Sequence, residues 1–250
     1  MLYSLGHRFL DLLIKHKIRK IFNTKKKINE KEIFKLKKLF ISFLVLLSLA
    51  SGISTISVNA EGKTSLREAC FNHEMIKLKY RMQELWIEHA WWTRSFIVSN
   101  LAGLADQKTV LNRLLQNQVD IGNAIKLYYG EQAGNKLTEL LKEHILIAGQ
   151  IIEAAKKNDQ ANVEKYNKEW FRNADVIVDF LTTANPNWSK QTITDMFYTH
   201  LKLTSDEVNA RLKKDWEGDI RAADLNEAHL IQFGDILTEG IVKQFPEKFK

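Results

Sequence analysis

The stretch Glu84-Leu85-Trp86-Ile87-Glu88-His89 returns as Glu139-Leu140-Leu141-Lys142-Glu143-His144, and more loosely as Asp195-Met196-Phe197-Tyr198-Thr199-His200 and Asp224-Leu225-Asn226-Glu227-Ala228-His229. In each copy an acid stands five places before a histidine, and a Leu or Met follows the acid. Such self-similarity marks a repeated supersecondary unit. Around the first copy, Met82, Leu85, His89, Trp92, Phe96 and Asn100 recur at intervals of three and four. That is the period of one helix face, so His89 rides on an inward stripe.

Working outward, this first helix spans Thr64 to about Ala102. Gly103 to Asp106 turns the chain, with Asp106 as N-cap of a second helix that runs to Tyr129 and is closed by Gly130 to Asn135. A third helix carries Leu137, Leu141, His144, Ala148 and Ile151. Lys157-Asn158-Asp159 leads into a fourth, with Val163, Trp170, Ala174, Ile177 and Leu181 as its seam. The firmest stop is Ala184-Asn185-Pro186-Asn187-Trp188, since Pro186 cannot continue a helix and pushes its neighbour toward an extended conformation. A fifth helix from about Ser189 carries Ile193, Met196, His200 and Val208. A weaker turn at Lys213 to Asp215 opens a sixth with His229, Phe233 and Ile236, ending before Pro246; Ile241 to Lys250 reads as a frayed apolar-basic tail. No stretch alternates with period two. The expected fold is all-α, an up-and-down bundle of about six helices built as three helical hairpins.

Register adds to periodicity. His89 and Asp120 lie at nearly equal distances from the first turn, as do His144 and Asp175 about the Lys157 to Asp159 turn, and His200 and His229 about the turn near Lys213. At about 1.5 Å rise per residue, all six fall within a turn or so of one height. A polar layer is therefore expected across the bundle. Imidazoles from facing helices suit zinc, copper, iron or haem, with Asp120 and Asp175 completing the sphere or orienting the rings. The competing reading is a cofactor-free layer, with the histidines hydrogen-bonded to carboxylates and backbone. Asp120 and Asp175 stand on helix flanks, about 100° from the seams.

Charge is divided unevenly. Residues 1–38 hold 12 Lys/Arg and three acids, a net of +9, and residues 39–60 carry no charge. Subtracting that +9 from the whole chain's +7 leaves −2 for residues 61–250. The basic pI of about 9.3 thus belongs to the leader, and nucleic acid is excluded as a partner. Leu39 to Ala50 is an apolar run broken only by serines, and Val58-Asn59-Ala60 offers a small-x-small cleavage site. The expected plan is a basic segment (1–38), a signal peptide or membrane anchor (39–60) and an exported helical domain (61–250), with membrane contact through residues 39–58 if they are not removed. Cys70 is the single cysteine, so no internal disulfide can form; it is a free thiol or an interchain link.

Signatures of catalysis are absent. There is no Glu-x-x-His, His-Glu-x-x-His, Cys-x-x-Cys-His, Walker loop, Gly-x-Gly-x-x-Gly or Gly-x-Ser-x-Gly. The six tryptophans Trp86, Trp91, Trp92, Trp170, Trp188 and Trp216 cover a core and its rim or mark a carbohydrate or peptide surface, adjacent tryptophans on a helix favouring the core.

Glu-His-Ala-Trp-Trp-Thr-Arg (88–94), Asn-Gln-Val-Asp-Ile-Gly-Asn-Ala-Ile (117–125), Ala-Asn-Pro-Asn-Trp (184–188) and Lys-Gln-Phe-Pro-Glu-Lys-Phe (243–249) resemble segments of an uncharacterised family of exported bacterial all-helical proteins. The resemblance covers residues 84–248. Members often carry transferred names such as glycosyltransferase or acetylglutamate kinase, and the resemblance supplies no catalytic residues. Neither name suits this chain: it has no strand pattern, no Asp-x-Asp pair and no glycine-rich phosphate cradle. The expectation is an exported binding protein of the cell envelope, holding a transition metal or haem through His89, His144, His200 and His229 with Asp120 and Asp175. A cofactor-free structural or interaction protein with an envelope partner is the alternative, and an enzyme acting on envelope sugars or peptides a third.

Overall fold

The computed structural model describes residues 72–249. The basic segment, the apolar run, the cleavage site, Cys70 and the start of the first helix at Thr64 lie outside them. Among the described residues every regular element is helical: α1 (His73–Ala102), α2 (Gln107–Lys156), α3 (Gln160–Ala184), α4 (Lys190–Leu212) and α5 (Trp216–Gln244), followed by a 3-10 turn, Pro246–Phe249. None is long and apolar enough to cross a membrane.

Five continuous segments stand where about six helices are expected, because α2 is hydrogen-bonded past a break at Gly130, whose φ of 81° and ψ of 170° are not helical. That conformation is open essentially to glycine alone. The break is one residue, not the six from Gly130 to Asn135. It still reverses the chain. A Cβ added at Gly122 would lie 2.5 Å from the Gly134 carbonyl oxygen, and one at Gly134 would lie 2.6 Å from that of Gly122. Residues twelve apart in a straight helix stand about 18 Å from each other, so the arms 107–129 and 131–156 lie back to back and touch through their glycines. The all-α bundle of three hairpins is therefore present.

Side chains close most of the other ends. Asn72 caps α1 by accepting from the Glu74 N–H, Asp159 caps α3, Ser189 caps α4 and Asp215 caps α5. Asp106 does not cap α2; its carboxylate accepts from the Ser99 hydroxyl. Gly103 ends α1 in the left-handed conformation. The C-terminal segment is docked rather than frayed. Phe249 is buried, stacks on Tyr128, and its carbonyl oxygen accepts from the Asn72 side chain.

Successive rods touch one another and α5 returns to α1, closing a ring. Two apolar clusters fill it. The larger includes Met82, Leu85, Ile121, Leu141, Ile177 and Leu237; the smaller contains Phe96, Ile97, Leu114, Ile145, Ile152 and Val208. Buried polar side chains gather at their junction.

Candidate functional site

Those polar groups come from equivalent places in the three hairpins. His89, His144 and His200, on the first rod of each hairpin, are all buried. The His200 ring centroid lies 5.5 Å from that of His89 and 6.3 Å from that of His144. Each ring meets a carboxamide from the second rod. Asn173 Oδ1 is 2.8 Å from His144 Nδ1, and Asn226 Oδ1 is 2.8 Å from His200 Nδ1. At His89 the place is shared: Gln118 Nε2 lies 3.3 Å from Nδ1, and Asn117 donates to the Leu85 carbonyl at 3.0 Å.

These bonds fix the tautomers. Asn173 donates through Nδ2 to the Leu140 carbonyl at 3.2 Å, so its Oδ1 faces the ring and His144 Nδ1 must carry the proton. Asn226 likewise turns Oδ1 to His200 Nδ1 and Nδ2 to Thr204 Oγ1 at 3.1 Å, an orientation that puts the His200 proton on Nδ1 but that the Thr204 hydroxyl, able to donate or accept, does not fix as a carbonyl does. In both rings Nε2 is then the bare lone pair. His144 Nε2 is buried without a hydrogen-bond partner, as is the indole N–H of neighbouring Trp170. A pattern repeats one turn back. Leu85 and Leu140, each four residues before its histidine, offer carbonyls taken by Asn117 and Asn173, and in the third hairpin His229 Nε2 binds the Met196 carbonyl at 2.8 Å.

Burial penalises the imidazolium and is the largest cause of the titration shifts. It pulls His144 down to about 3, aided by the His200 ring, and His200 down to about 4, against the raising effect of Asn226. His89 is also held well below 6.5, by burial first and then by the His200 and His144 rings. All three are neutral at pH 7, the form in which imidazole binds a metal.

The structure brings three of the six expected donors together. His229 is only partly buried and committed to the Met196 carbonyl. Asp120 sits on the flank, accepting from Gln116 at 3.1 Å and lying 3.9 Å from Arg113. Asp175 is exposed and accepts from the Tyr198 hydroxyl at 2.9 Å. The carboxylates lie on the wrong face because the inward positions of these rods belong to Asn117 and Asn173, three and two residues earlier. Among the described residues, no group of three or more His, Cys, Asp or Glu side chains is placed to enclose a metal ion. The largest departure from the expected site is thus that carboxamides, not carboxylates, serve the rings. Their signal was present in the sequence: Asn117 lies three after Leu114 and four before Ile121, on the apolar seam, and Asn173 lies four before Ile177.

A second polar cluster lies one to two turns further along α1, α4 and α5. Arg94 donates to Glu207 at 2.8 Å and to Asp219 at 2.9 and 3.3 Å, and Arg211 donates to Asp219 at 2.7 Å. Both carboxylates are almost fully buried. Desolvation outweighs Arg94 and pushes Glu207 up to about 7.

No protein-family model, curated protein or solved structure matches the chain.

Proposed function

We propose that this is an exported binding protein that takes one transition-metal ion at the layer of His89, His144 and His200. The observation that carries the reading is the buried, partnerless Nε2 of His144, beside a ring whose proton is likewise held on Nδ1. Leaving a buried acceptor unmatched costs about 1–3 kcal/mol, which a bound ion would offset. A carboxamide or carbonyl on the second nitrogen is the usual support of a metal-binding imidazole. Rings sharing a tetrahedral ion at about 2.1 Å would have centroids about 5 Å apart, so uptake asks the His144 and His200 rings, 6.3 Å apart, to close by about 1 Å. His144 and His200 offer Nε2 lone pairs, whereas His89, whose Nδ1 accepts from the Gln118 amide nitrogen, carries its proton on Nε2 and must change tautomer to join them; neutral imidazoles favour zinc or copper over magnesium or calcium. A haem would need far more room than the core void lined by Trp86, Ile121, Leu141 and Phe197 among others, which is about 20 Å³. Export rests on the leader sequence of residues 39–60.

A cofactor-free layer that sets register between the hairpins is favoured by a different observation, the absence of an enclosed donor set among the described residues. Elemental analysis and titration with zinc or cobalt on untagged protein separate the two readings. One ion per chain, lost in His144→Ala and retained in His229→Ala, is the expected result. No bound ion in any of the three proteins would leave the layer purely architectural.

A further inference from the structure

The histidine layer is not sealed on all sides by hydrocarbon. On α4, His200, Thr204 and Glu207 follow one another at helical spacing on one buried face, and on α5 Asn226 and Asp219 do the same. On α1, Thr93 stands one turn beyond His89 and is 8 % exposed, with a buried hydroxyl that has no partner. Hydrogen bonds join the inner part, from His200 Nδ1 to Asn226 Oδ1 and from Asn226 Nδ2 to Thr204 Oγ1. Ion pairs join the outer part, Glu207 to Arg94 to Asp219 to Arg211. His200 to Glu207 is seven residues, about 10 Å along the helix. The outer end meets solvent at Arg94 and Arg211, whose side chains are 29 % and 19 % exposed.

We infer that the histidine layer communicates with solvent along this column and that Arg94 is its gate. Arg94 reaches from α1 to carboxylates on both α4 and α5, so while it is paired, three helices are clamped over the outer end. When it releases Glu207, the opening exposes Thr204, Thr93 and then the rings, in that order of depth. The route passes water and protons; two buried carboxylates facing two guanidinium groups leave its mouth without a large net charge. This deepens the reading of the layer as an ion site, yet access to the layer can be measured whether or not an ion binds there.

The measurement is hydrogen exchange at the His200 Nδ1–H, followed by NMR on the full chain. Glu207→Gln keeps the shape of the side chain and turns the ion pair with Arg94 into a neutral hydrogen bond, leaving the two bonds from Arg94 to Asp219; above pH 7, where Glu207 is ionised, exchange is expected to quicken about tenfold. Thr93→Val replaces a partnerless hydroxyl with a methyl group, which a structural role alone would leave neutral or stabilising. It dries the column, and exchange is expected to slow by about tenfold. Core amides such as those of Leu85 and Ile177 should lose no protection in either variant. The column stands if both opposite shifts appear while the core amides are no less protected. Unchanged imidazole exchange in either variant, or an acceleration shared by all core amides, overturns it. Zinc uptake on the same proteins tells the two ideas apart: opposite exchange shifts in a protein that binds no zinc would remove the ion site and leave the column.

Discussion

The Asn173 carboxamide joins two groups that the bundle could not otherwise satisfy: its Oδ1 lies 2.8 Å from His144 Nδ1 and its Nδ2 donates to the Leu140 carbonyl at 3.2 Å. Asn173→Ala leaves the imidazole N–H without its acceptor and removes the second bond to the carbonyl. The expected loss is about 2–4 kcal/mol in urea unfolding. Asn173→Asp should behave differently, placing a carboxylate against His144 and raising its pKa, an effect read directly by NMR titration. A loss below about 0.5 kcal/mol for the alanine variant would show that the layer is not structurally coupled.

Acid should weaken the fold through the histidines. His144 and His200 titrate near 3 and 4 in the folded chain and near 6.5 when unfolded, so between those values the unfolded state holds more protons. Stability is therefore full above about pH 6.5 and falls as pH drops below it, by roughly 1.4 kcal/mol per pH unit for each histidine. The thermal midpoint is expected to be clearly lower at pH 5.5 than at 7.5. Equal midpoints would contradict neutral burial of the rings.

Glu207 has the opposite sign. Its folded value of about 7 stands above the ordinary 4.5, so the folded state holds the extra proton; this stabilisation is present below pH 4.5 and is lost as pH rises through 7. Charged neighbours from every side are Arg94 on α1, Asp219 on α5 and Arg211 on its own helix. Glu207→Gln should gain stability relative to the unaltered protein between pH 5 and pH 8, by about 1–3 kcal/mol across that range. A difference independent of pH would show that Arg94 keeps the carboxylate ionised throughout.

The two arms of α2 make a comparison among glycines informative. Gly122→Ala drives a methyl group into the Gly134 carbonyl and the Thr138 side chain, so the arms must part. The cost should be about 2–3 kcal/mol or more, seen as a lowered urea midpoint. At Gly130 nothing lies within 4 Å of an added Cβ, and the penalty comes from the φ of 81° alone. Gly130→Ala should cost about 1–3 kcal/mol and leave the packing between the arms intact, detectable as unchanged protection of the Gly122 and Gly134 amides.

Most of the architecture was legible in the sequence because helix periodicity, Pro186 and the turn residues around Asp159 and Asp215 act locally. The one-residue reversal at Gly130 was not, since Gly130, Gly134 and Asn135 read as a stop around three good helix formers, Glu131 to Ala133, and Gly134 is helical because it packs on Gly122 across the hairpin. Height was read well. His89, His144 and His200 fall at one level, at the junction of two apolar clusters, because hairpin register follows from counting residues. Azimuth was read less well. Asp120 and Asp175 have the right height and the wrong face, and a turn of about 100° per residue makes an error of two or three positions decisive. Arg94, Glu207 and Asp219 went unnoticed because charged residues on a stripe resemble solvated ones until a partner from another hairpin is seen beside them.

The contact between the Asn72 side chain and the Phe249 carbonyl brings the entry and exit of the described domain to one pole, with α1 and α5 running side by side away from it. Tension applied to both ends would therefore load that contact first and peel α1 from α5 progressively, one turn at a time, instead of shearing the two helices along their whole length. The domain is mechanically soft to a pull on its ends, and the Trp86–Phe233 contact would part before the Arg94–Asp219 clasp near the far end.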